Sequence, residues 1–254
     1  MDKTKLLLSR LNEIGKALSK KESALALIGL GSVGTELDRL DQFSDLDFFV
    51  IVKTGFKQQY LEDLSWLKEI ADVAYCFMNT QDGYKLLFVD GIFCEFALFD
   101  ENEIKNAVFT PGRIVWKAEG VSDQIAIPQR QLDERQQHSV EWLIGEALTN
   151  LYVGLCREKR GEKLSAMRFI QFYAVDRILE LMETMETATS TSGDFFNLER
   201  RFESRYPCPS KELPVMLQGY EKNRESARAI LLFLGEHFEI NPDMKQTVLD
   251  LINL

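Results

Sequence analysis

Positive charge and histidine are both scarce in this chain, and each scarcity argues against a class of function. The 254 residues include 30 Lys and Arg against 40 Asp and Glu, so the net charge is −10. A chain this acidic does not attract polynucleotides as a whole, which disfavours a nucleic-acid substrate, although a local basic patch is compatible with this charge. The two histidines, His138 and His237, supply little material for a catalytic triad or a histidine-rich metal site.

The sequence also lacks closely spaced pairs of cysteines and long apolar runs. Cys76, Cys94, Cys156 and Cys208 show no Cys-x-x-Cys spacing, which argues against a zinc or disulfide framework and favours reduced thiols. No apolar run approaches the ~18 residues of a membrane span. The N-terminal stretch has apolar residues at helical spacing instead of a secretory apolar core. These absences predict a cytoplasmic protein with no membrane segment.

The apolar pattern of the first half predicts an α/β (α+β) domain with a mixed sheet over residues 1–128. A helix at 5–18 precedes short apolar runs, one further helix is expected at 57–71, and the run ADVAYCFM is typical of a short strand. Two later runs are separated by Asp90-Gly91, a turn pair that indicates a hairpin. The stretch RIVWKAEG is compatible with one more strand.

Helical periodicity predicts an all-α helical bundle domain over residues 129–254. Pro128 marks the boundary, because proline interrupts regular structure. The periodic segments are 131–157, 164–185, a short helix at 195–206, 213–237 and 243–252. The second of these is apolar on most of its circumference, so it is expected to be buried among the others.

The strongest functional signal lies in residues 27–52. An apolar run ends at Gly31-Ser32, a polar loop follows, and Asp45 and Asp47 begin the second apolar run, DLDFFVIV. Side chains alternate between the two faces of a strand, so both aspartates lie on one face while their neighbours point into a core. Two carboxylates are therefore expected side by side at the start of a buried strand.

Such a pair of carboxylates suits a cation. Like charges a few ångströms apart repel each other unless a cation joins them. Mg²⁺ prefers hard oxygen ligands and usually takes one or two protein carboxylates together with substrate phosphates. Gly31 lets a ligand approach the backbone, and Ser32 offers a hydroxyl and an N–H to a phosphate oxygen. The alternative is a surface loop with two solvated aspartates.

Gly-Ser, about a dozen residues, and then Asp-x-Asp on a strand resemble the signature of the DNA polymerase beta-like nucleotidyltransferase superfamily. The segment GSVGTELDRLDQFSDLDFFVIVK is most similar to the antibiotic nucleotidyltransferases, particularly the lincosamide type. The resemblance implies that Asp45 and Asp47 hold two Mg²⁺ ions, and that Gly31 and Ser32 bind the β- and γ-phosphates of an NTP. It also assigns Ser44, which precedes the first aspartate, to the nucleotide site.

Those enzymes add a third carboxylate from a later strand, and Glu95 in KLLFVDGIFCEFALFD fits that position. Glu95 is expected to act either as the general base toward an acceptor hydroxyl or as a metal ligand. Its alternative is an ion pair with a neighbouring Lys or Arg at the sheet edge. By the same resemblance, Arg160, Lys163 and Arg168 are candidates for phosphate contacts, and solvated charges at a helix start explain these three equally well.

The reaction implied by the resemblance is transfer of a nucleoside monophosphate from an NTP to a hydroxyl, with release of pyrophosphate. The acceptor is expected to be a small molecule, such as a lincosamide or aminoglycoside antibiotic, which would make the enzyme a resistance factor. Two alternatives stay open: the same chemistry on a protein or tRNA, and a non-catalytic nucleotide-binding module. The resemblance also implies a homodimer.

Overall fold

The computed structural model describes residues 2–130, 137–189, 193 and 197–254. The chain divides into two compact units, Met1–Asp133 and Glu134–Leu254. Two hydrophobic clusters lie in the first unit and one lies in the second. The division falls a few residues beyond the domain boundary predicted at residue 128, and the assignment of a function to each domain stays a prediction.

A six-stranded mixed sheet forms the centre of the first unit, in agreement with the prediction. The strands are β1 (Ala24–Gly29), β2 (Leu46–Val52), β3 (Val73–Thr80), β4 (Gly83–Phe88), β5 (Phe93–Asp100) and β6 (Arg113–Lys117). Their order across the sheet is β3-β4-β5-β2-β1-β6. The β2–β5 pair is parallel, and the other neighbouring pairs are antiparallel. The predicted hairpin is β4–β5, and its turn residue Gly91 has a φ of 83°.

In the described residues of this unit, three α-helices accompany the sheet: α1 (Lys3–Leu18), α2 (Lys57–Glu62) and α3 (Ser65–Lys68). In α1, the side chain of Asp2 accepts a hydrogen bond from the Thr4 N–H and so begins the helix. The prediction of one helix over 57–71 is wrong. Asp63 interrupts it, because its carboxylate accepts hydrogen bonds from the backbone N–H and the hydroxyl of Ser65 and starts a separate helix there.

The second unit is helical in its described residues. Its helices are α4 (Val140–Lys159), α5 (Lys163–Met167), a π-helical segment (Arg168–Ala174), α6 (Val175–Met185), α7 (Phe202–Arg205), α8 (Leu213–Met216), α9 (Asn223–His237) and α10 (Pro242–Asn253). None of the helices in the described ranges of the chain has the length and apolarity needed to cross a membrane.

Several predicted helix boundaries in this unit need correction. Among the described residues of the short helix expected over 195–206, only Phe202–Arg205 is helical. The helix expected from residue 131 begins at Val140, where the Ser139 side chain accepts a hydrogen bond from the Trp142 N–H; residues 131–136 lie outside the described part. The helix expected over 213–237 is divided into α8 and α9 by a loop. Gly219 in that loop has a φ of 90° and exchanges hydrogen bonds with the buried Gln171, which holds the loop in place.

Candidate active site

The predicted carboxylates lie on neighbouring strands and on one face of the sheet. Asp47 on β2 and Glu95 on β5 are register partners in the parallel pair, and Asp45 immediately precedes β2. Neighbouring strands are about 4.8 Å apart, so the side chains of Asp47 and Glu95 emerge next to each other. Leu46 and Phe48 alternate with them and are fully buried on the opposite face. The alternation predicted for the start of β2 is confirmed.

The Gly-Ser loop faces the Asp47 carboxylate. Gly31 has a φ of 51°, a conformation that favours glycine, and a Cβ at this position would lie 3.8 Å from Asp47 Oδ2. Just before the loop, the Leu30 N–H donates a 2.8 Å hydrogen bond to the Asp47 carbonyl oxygen. Ser32 follows Gly31 in a short 3₁₀ turn and is partly exposed. The fold thus places the backbone at Gly31 close to the Asp47 side chain.

Close backbone packing fixes the shape of this loop. A Cβ added to Gly34 would lie 2.7 Å from the Gly29 carbonyl oxygen and 2.7 Å from the Leu30 carbonyl carbon. A Cβ at Gly29 would lie 2.5 Å from the Val33 carbonyl oxygen. Real side chains do not tolerate such distances, so the sequence GLGSVG folds back on itself only because these positions are glycine.

Arg113 is a site residue that the sequence did not reveal. It begins β6, pairs with Gly29 on β1, and donates hydrogen bonds from Nε (3.1 Å) and Nη2 (2.8 Å) to the Val33 carbonyl oxygen. Burial lowers the pKa of Arg113, but an arginine titrates far above neutral pH and stays charged. Its charge and its two hydrogen bonds hold the Gly-Ser loop from one side. This role depends on the β1–β6 pairing, which no local pattern encodes.

Replacing Arg113 by methionine should loosen the loop and weaken nucleotide binding. The change removes two hydrogen bonds to one carbonyl group, which is expected to cost about 1–3 kcal/mol of stability and to weaken NTP affinity roughly threefold to tenfold, in line with a loss of about 1 kcal/mol. Thermal unfolding and nucleotide titration measure the two effects, and Arg113→Lys serves as the charge-conserving comparison. An Arg113→Met protein with unchanged unfolding midpoint and affinity would show that Arg113 does not support the loop.

Ser44 lies in the turn that leads into β2. Its hydroxyl accepts a 3.0 Å hydrogen bond from the Asp41 N–H and donates a 3.2 Å hydrogen bond to Asp41 Oδ1. The same carboxylate oxygen accepts a hydrogen bond from the Phe43 N–H. These contacts close a local turn before Asp45. The contribution of Ser44 to nucleotide binding stays a prediction.

Glu95 forms an ion pair with a neighbouring lysine, which is the alternative that the sequence left open for this residue. Lys85, its cross-strand partner on β4, places Nζ 3.1 Å from Glu95 Oε2, and Asn79 Nδ2 donates a 3.4 Å hydrogen bond to Oε1. The side chains of Lys85 and Glu95 are 40% and 44% exposed. An ion pair this exposed contributes about 0–1 kcal/mol, so a ligand can displace the lysine at low cost. The pair joins the Glu95 carboxylate to β4 and leaves it partly exposed.

The donor set of the site suits a metal ion that arrives with a nucleotide. Within the described residues, no group of three or more His, Cys, Asp or Glu side chains is arranged to hold a metal ion. Mg²⁺ in nucleotide sites needs only one or two carboxylates, because phosphate and water oxygens complete its shell. Asp45 and Asp47, with the backbone cradle at Gly31, fit that requirement. The number of ions stays a prediction.

The three basic residues predicted to contact phosphate lie in the second unit. Lys163 Nζ donates a 2.6 Å hydrogen bond to Glu221 Oε2, a bond that raises the pKa of Lys163. The guanidinium of Arg168 lies over the Phe172 ring, 5.4 Å from its centroid. Arg160 follows α4 as its C-terminal cap. The phosphate contacts of all three residues stay predictions.

Comparison with known proteins gives matches only among solved structures. Neither a protein-family model nor a curated protein sequence matches the chain. An aminoglycoside 6-adenyltransferase from Bacillus subtilis is 13% identical, with a TM-score of 0.32 and 95% of each chain covered. A nucleotidyltransferase-like protein from Exiguobacterium sibiricum is 12% identical, with a TM-score of 0.33, over 99% of this chain and 73% of its own.

A third similar structure is a STING-associated CdnE c-di-GMP synthase from Capnocytophaga granulosa. It is 13% identical, with a TM-score of 0.34, and the match covers 98% of this chain and 78% of the synthase. Because the TM-scores are low, the assignment of roles to residues depends on the geometry of the site.

Proposed function

We propose that the chain is a metal-dependent nucleotidyltransferase that moves a nucleoside monophosphate from an NTP to a hydroxyl group of a small molecule. One observation carries this proposal: a Cβ at Gly31 would lie 3.8 Å from Asp47 Oδ2, and the register partner of Asp47 on the neighbouring strand β5 is Glu95. The Gly-Ser loop, proposed to bind phosphate, the two aspartates, proposed to bind the cation, and a third carboxylate thus belong to neighbouring elements on one sheet face. The first unit is the proposed catalytic domain.

The first half of the site binds the NTP. Asp45 and Asp47 would hold Mg²⁺, which supplies charge neutralisation for the phosphoryl oxygens. The backbone at Gly31 and the hydroxyl and N–H of Ser32 would hold the β- and γ-phosphates. Arg113 adds positive charge behind the loop, through its contact with the Val33 carbonyl. Positioning and electrostatics of this kind account for most of the catalysis in phosphoryl transfer.

The second half of the site acts on the acceptor. Glu95 would take the proton of the acceptor hydroxyl as its oxygen forms a bond to the α-phosphorus. The bond from the α-phosphorus to the bridging oxygen then breaks, and pyrophosphate leaves. General-base catalysis of this type is worth about 10²–10⁴-fold in rate. Lys85 must give up its contact with Glu95 when the acceptor binds, which its exposure permits.

A small acceptor agrees with the charge of the protein. The net charge of −10 favours a cationic or neutral molecule over a polynucleotide. Lincosamides and aminoglycosides are the two classes proposed, and a role in resistance to these antibiotics follows from that proposal. The homodimer and the cytoplasmic location are proposed with it, on the resemblance of the sequence motif alone.

Labelled NTPs test this reaction directly. With Mg²⁺ and a panel of lincosamides and aminoglycosides, label in the α-phosphate should enter the acceptor, while label in the γ-phosphate should leave as pyrophosphate. Release of the γ-label as orthophosphate would indicate an NTPase instead. Absence of both transfer and NTP binding would overturn the proposal.

Glu95→Gln separates the two roles proposed for Glu95. We expect transfer to slow about 10²–10⁴-fold with nucleotide affinity unchanged, because the base is lost while the NTP contacts remain. The acceptor-dependent rate and the affinity for an unreactive NTP analogue measure the two quantities. Glu101→Gln, one residue beyond the end of β5, is the control and should behave as the wild type. A parallel fall in nucleotide affinity for Glu95→Gln would instead make Glu95 a metal ligand.

A further inference from the structure

Strand β3 exposes two aromatic side chains at the edge of the sheet. Tyr75 is 56% exposed and Phe77 is 52% exposed. The strand carries no charged residue between Val73 and Thr80. Soluble proteins normally place charge or proline on an edge strand to prevent unwanted pairing, and they rarely expose neighbouring large apolar side chains without a use. We therefore expect a ligand or a partner to bind this edge.

The strand register places both aromatic residues on the face that carries the carboxylates. Phe77 pairs with Lys85, Lys85 with Glu95, and Glu95 with Asp47, so these four side chains form one row across four strands. Cross-strand partners have their side chains on the same face of a sheet. Phe77 lies two strands from Glu95, which corresponds to about 10 Å. That separation is within the length of one small two-ring molecule.

A second row runs beside the first and is apolar. Tyr75 pairs with Leu87, and Leu87 with Phe93. Leu87 and Phe93 are partly buried, and Tyr75 completes the row at the edge. Tyr75, Phe77, Leu87 and Phe93 together make a continuous apolar surface that borders Glu95. We call these four residues the acceptor shelf.

We propose that the acceptor shelf binds the apolar or planar face of the acceptor, with the reacting hydroxyl at Glu95. This inference rests on the nucleotidyltransferase function proposed above. The row contains two carboxylates, Asp47 and Glu95, with Asp45 close to them along the chain, and one cation, Lys85, so an anionic acceptor is disfavoured. The acceptor is therefore a neutral or cationic amphipathic molecule whose apolar group extends as far as about 10 Å from its reacting hydroxyl, the span of two strand spacings.

The chemistry of the shelf distinguishes between the two proposed acceptor classes. Aromatic rings and leucine bind apolar groups and ring faces through dispersion and burial of apolar area. An amphipathic sugar derivative, such as a lincosamide, presents both a hydroxyl-bearing ring and an apolar group. A wholly polar aminoglycoside gains little from such a surface. The shelf therefore favours the lincosamide type of acceptor.

Calorimetric titration tests the shelf with three probes: a lincosamide, a naphthyl glucoside and an aminoglycoside. The variants are Tyr75→Ala and Phe77→Ala. Met78→Ala is the matched control, because Met78 is 45% exposed on the same strand and pairs with Tyr84, whose row lies on the other face of the sheet. We expect an amphipathic probe to bind the wild type and the control equally and to bind the two shelf variants at least tenfold more weakly.

The inference is overturned if neither amphipathic probe binds the wild type, or if Phe77→Ala and Met78→Ala bind them equally. Sedimentation of the same variants tests whether a second copy of the chain binds the shelf instead. If Phe77→Ala loses a dimer that the wild type forms, with no change in probe binding, the inference is also overturned. Binding of an unreactive Mg²⁺–NTP analogue is measured in parallel. Nucleotide binding without shelf effects contradicts the shelf alone, and shelf effects without nucleotide binding contradict the proposed function alone.

Discussion

Asp47→Asn should abolish detectable nucleotidyl transfer and leave the fold intact. Asparagine has the shape of aspartate, but it lacks the charge that would hold a cation next to Gly31 and Glu95. Loss of one preorganised electrostatic contact in an active site typically costs about 10²–10³-fold, and loss of a metal ligand is expected to cost at least as much. Pyrophosphate release with the acceptor panel measures the rate.

Asp38→Asn is the matched control for this variant. Asp38 is an exposed aspartate in the loop between β1 and β2, so its substitution removes the same charge a short distance along the chain. We expect the control to retain the wild-type rate. The thermal unfolding midpoint of both variants should stay close to that of the wild type, because Asp47 is only partly buried. Full activity of Asp47→Asn would remove this residue from the mechanism.

Gly34→Ala should disrupt the Gly-Ser loop and destabilise the protein. The new Cβ would lie 2.7 Å from the Gly29 carbonyl oxygen and 2.8 Å from Leu30 Cα, and no flexible side chain can move aside to relieve these contacts. Overpacking of this kind costs about 1–3 kcal/mol. The displaced loop should also bind NTP more weakly, because Gly31 is three residues away.

A second glycine supplies the comparison for Gly34→Ala. Gly145 lies in the exposed part of α4, and a Cβ there meets no atom within 4 Å. Gly145→Ala should therefore stabilise the protein by about 0.5–1 kcal/mol through helix propensity. Thermal unfolding and nucleotide titration distinguish the two variants. A Gly34→Ala protein as stable as the wild type, with unchanged nucleotide affinity, would show that the loop is not tightly constrained.

Local sequence patterns predicted the strands and the position of the carboxylates. The alternation in DLDFFVIV is a property of consecutive residues, so it identified Asp47 as facing away from Phe48 and the core. The Asp90-Gly91 pair likewise identified the β4–β5 hairpin and hence the strand that carries Glu95. Patterns of this type involve residues that are close in the chain, and the folded sheet retains them.

Contacts that depend on the order of the strands could not be predicted from the sequence. Arg113 reaches Val33 because β6 joins the far side of β1, and Lys85 meets Glu95 because the hairpin has one particular register. The acceptor shelf also requires β3 to be the edge strand. The division of the 57–71 helix was missed for a different reason: the side-chain bonds of Asp63 prevail over an apolar periodicity that continues through it.

The measurement that tests the central claim most directly is titration of the protein with an unreactive α,β-methylene NTP analogue, with Mg²⁺ and with EDTA. If Asp45 and Asp47 form a metal–nucleotide site with the Gly-Ser loop, the wild type and Asp38→Asn should bind the analogue only when Mg²⁺ is present. Asp47→Asn should then bind it at least tenfold more weakly. Equal affinity in EDTA, or equal affinity in Asp47→Asn, would contradict the assignment of this site.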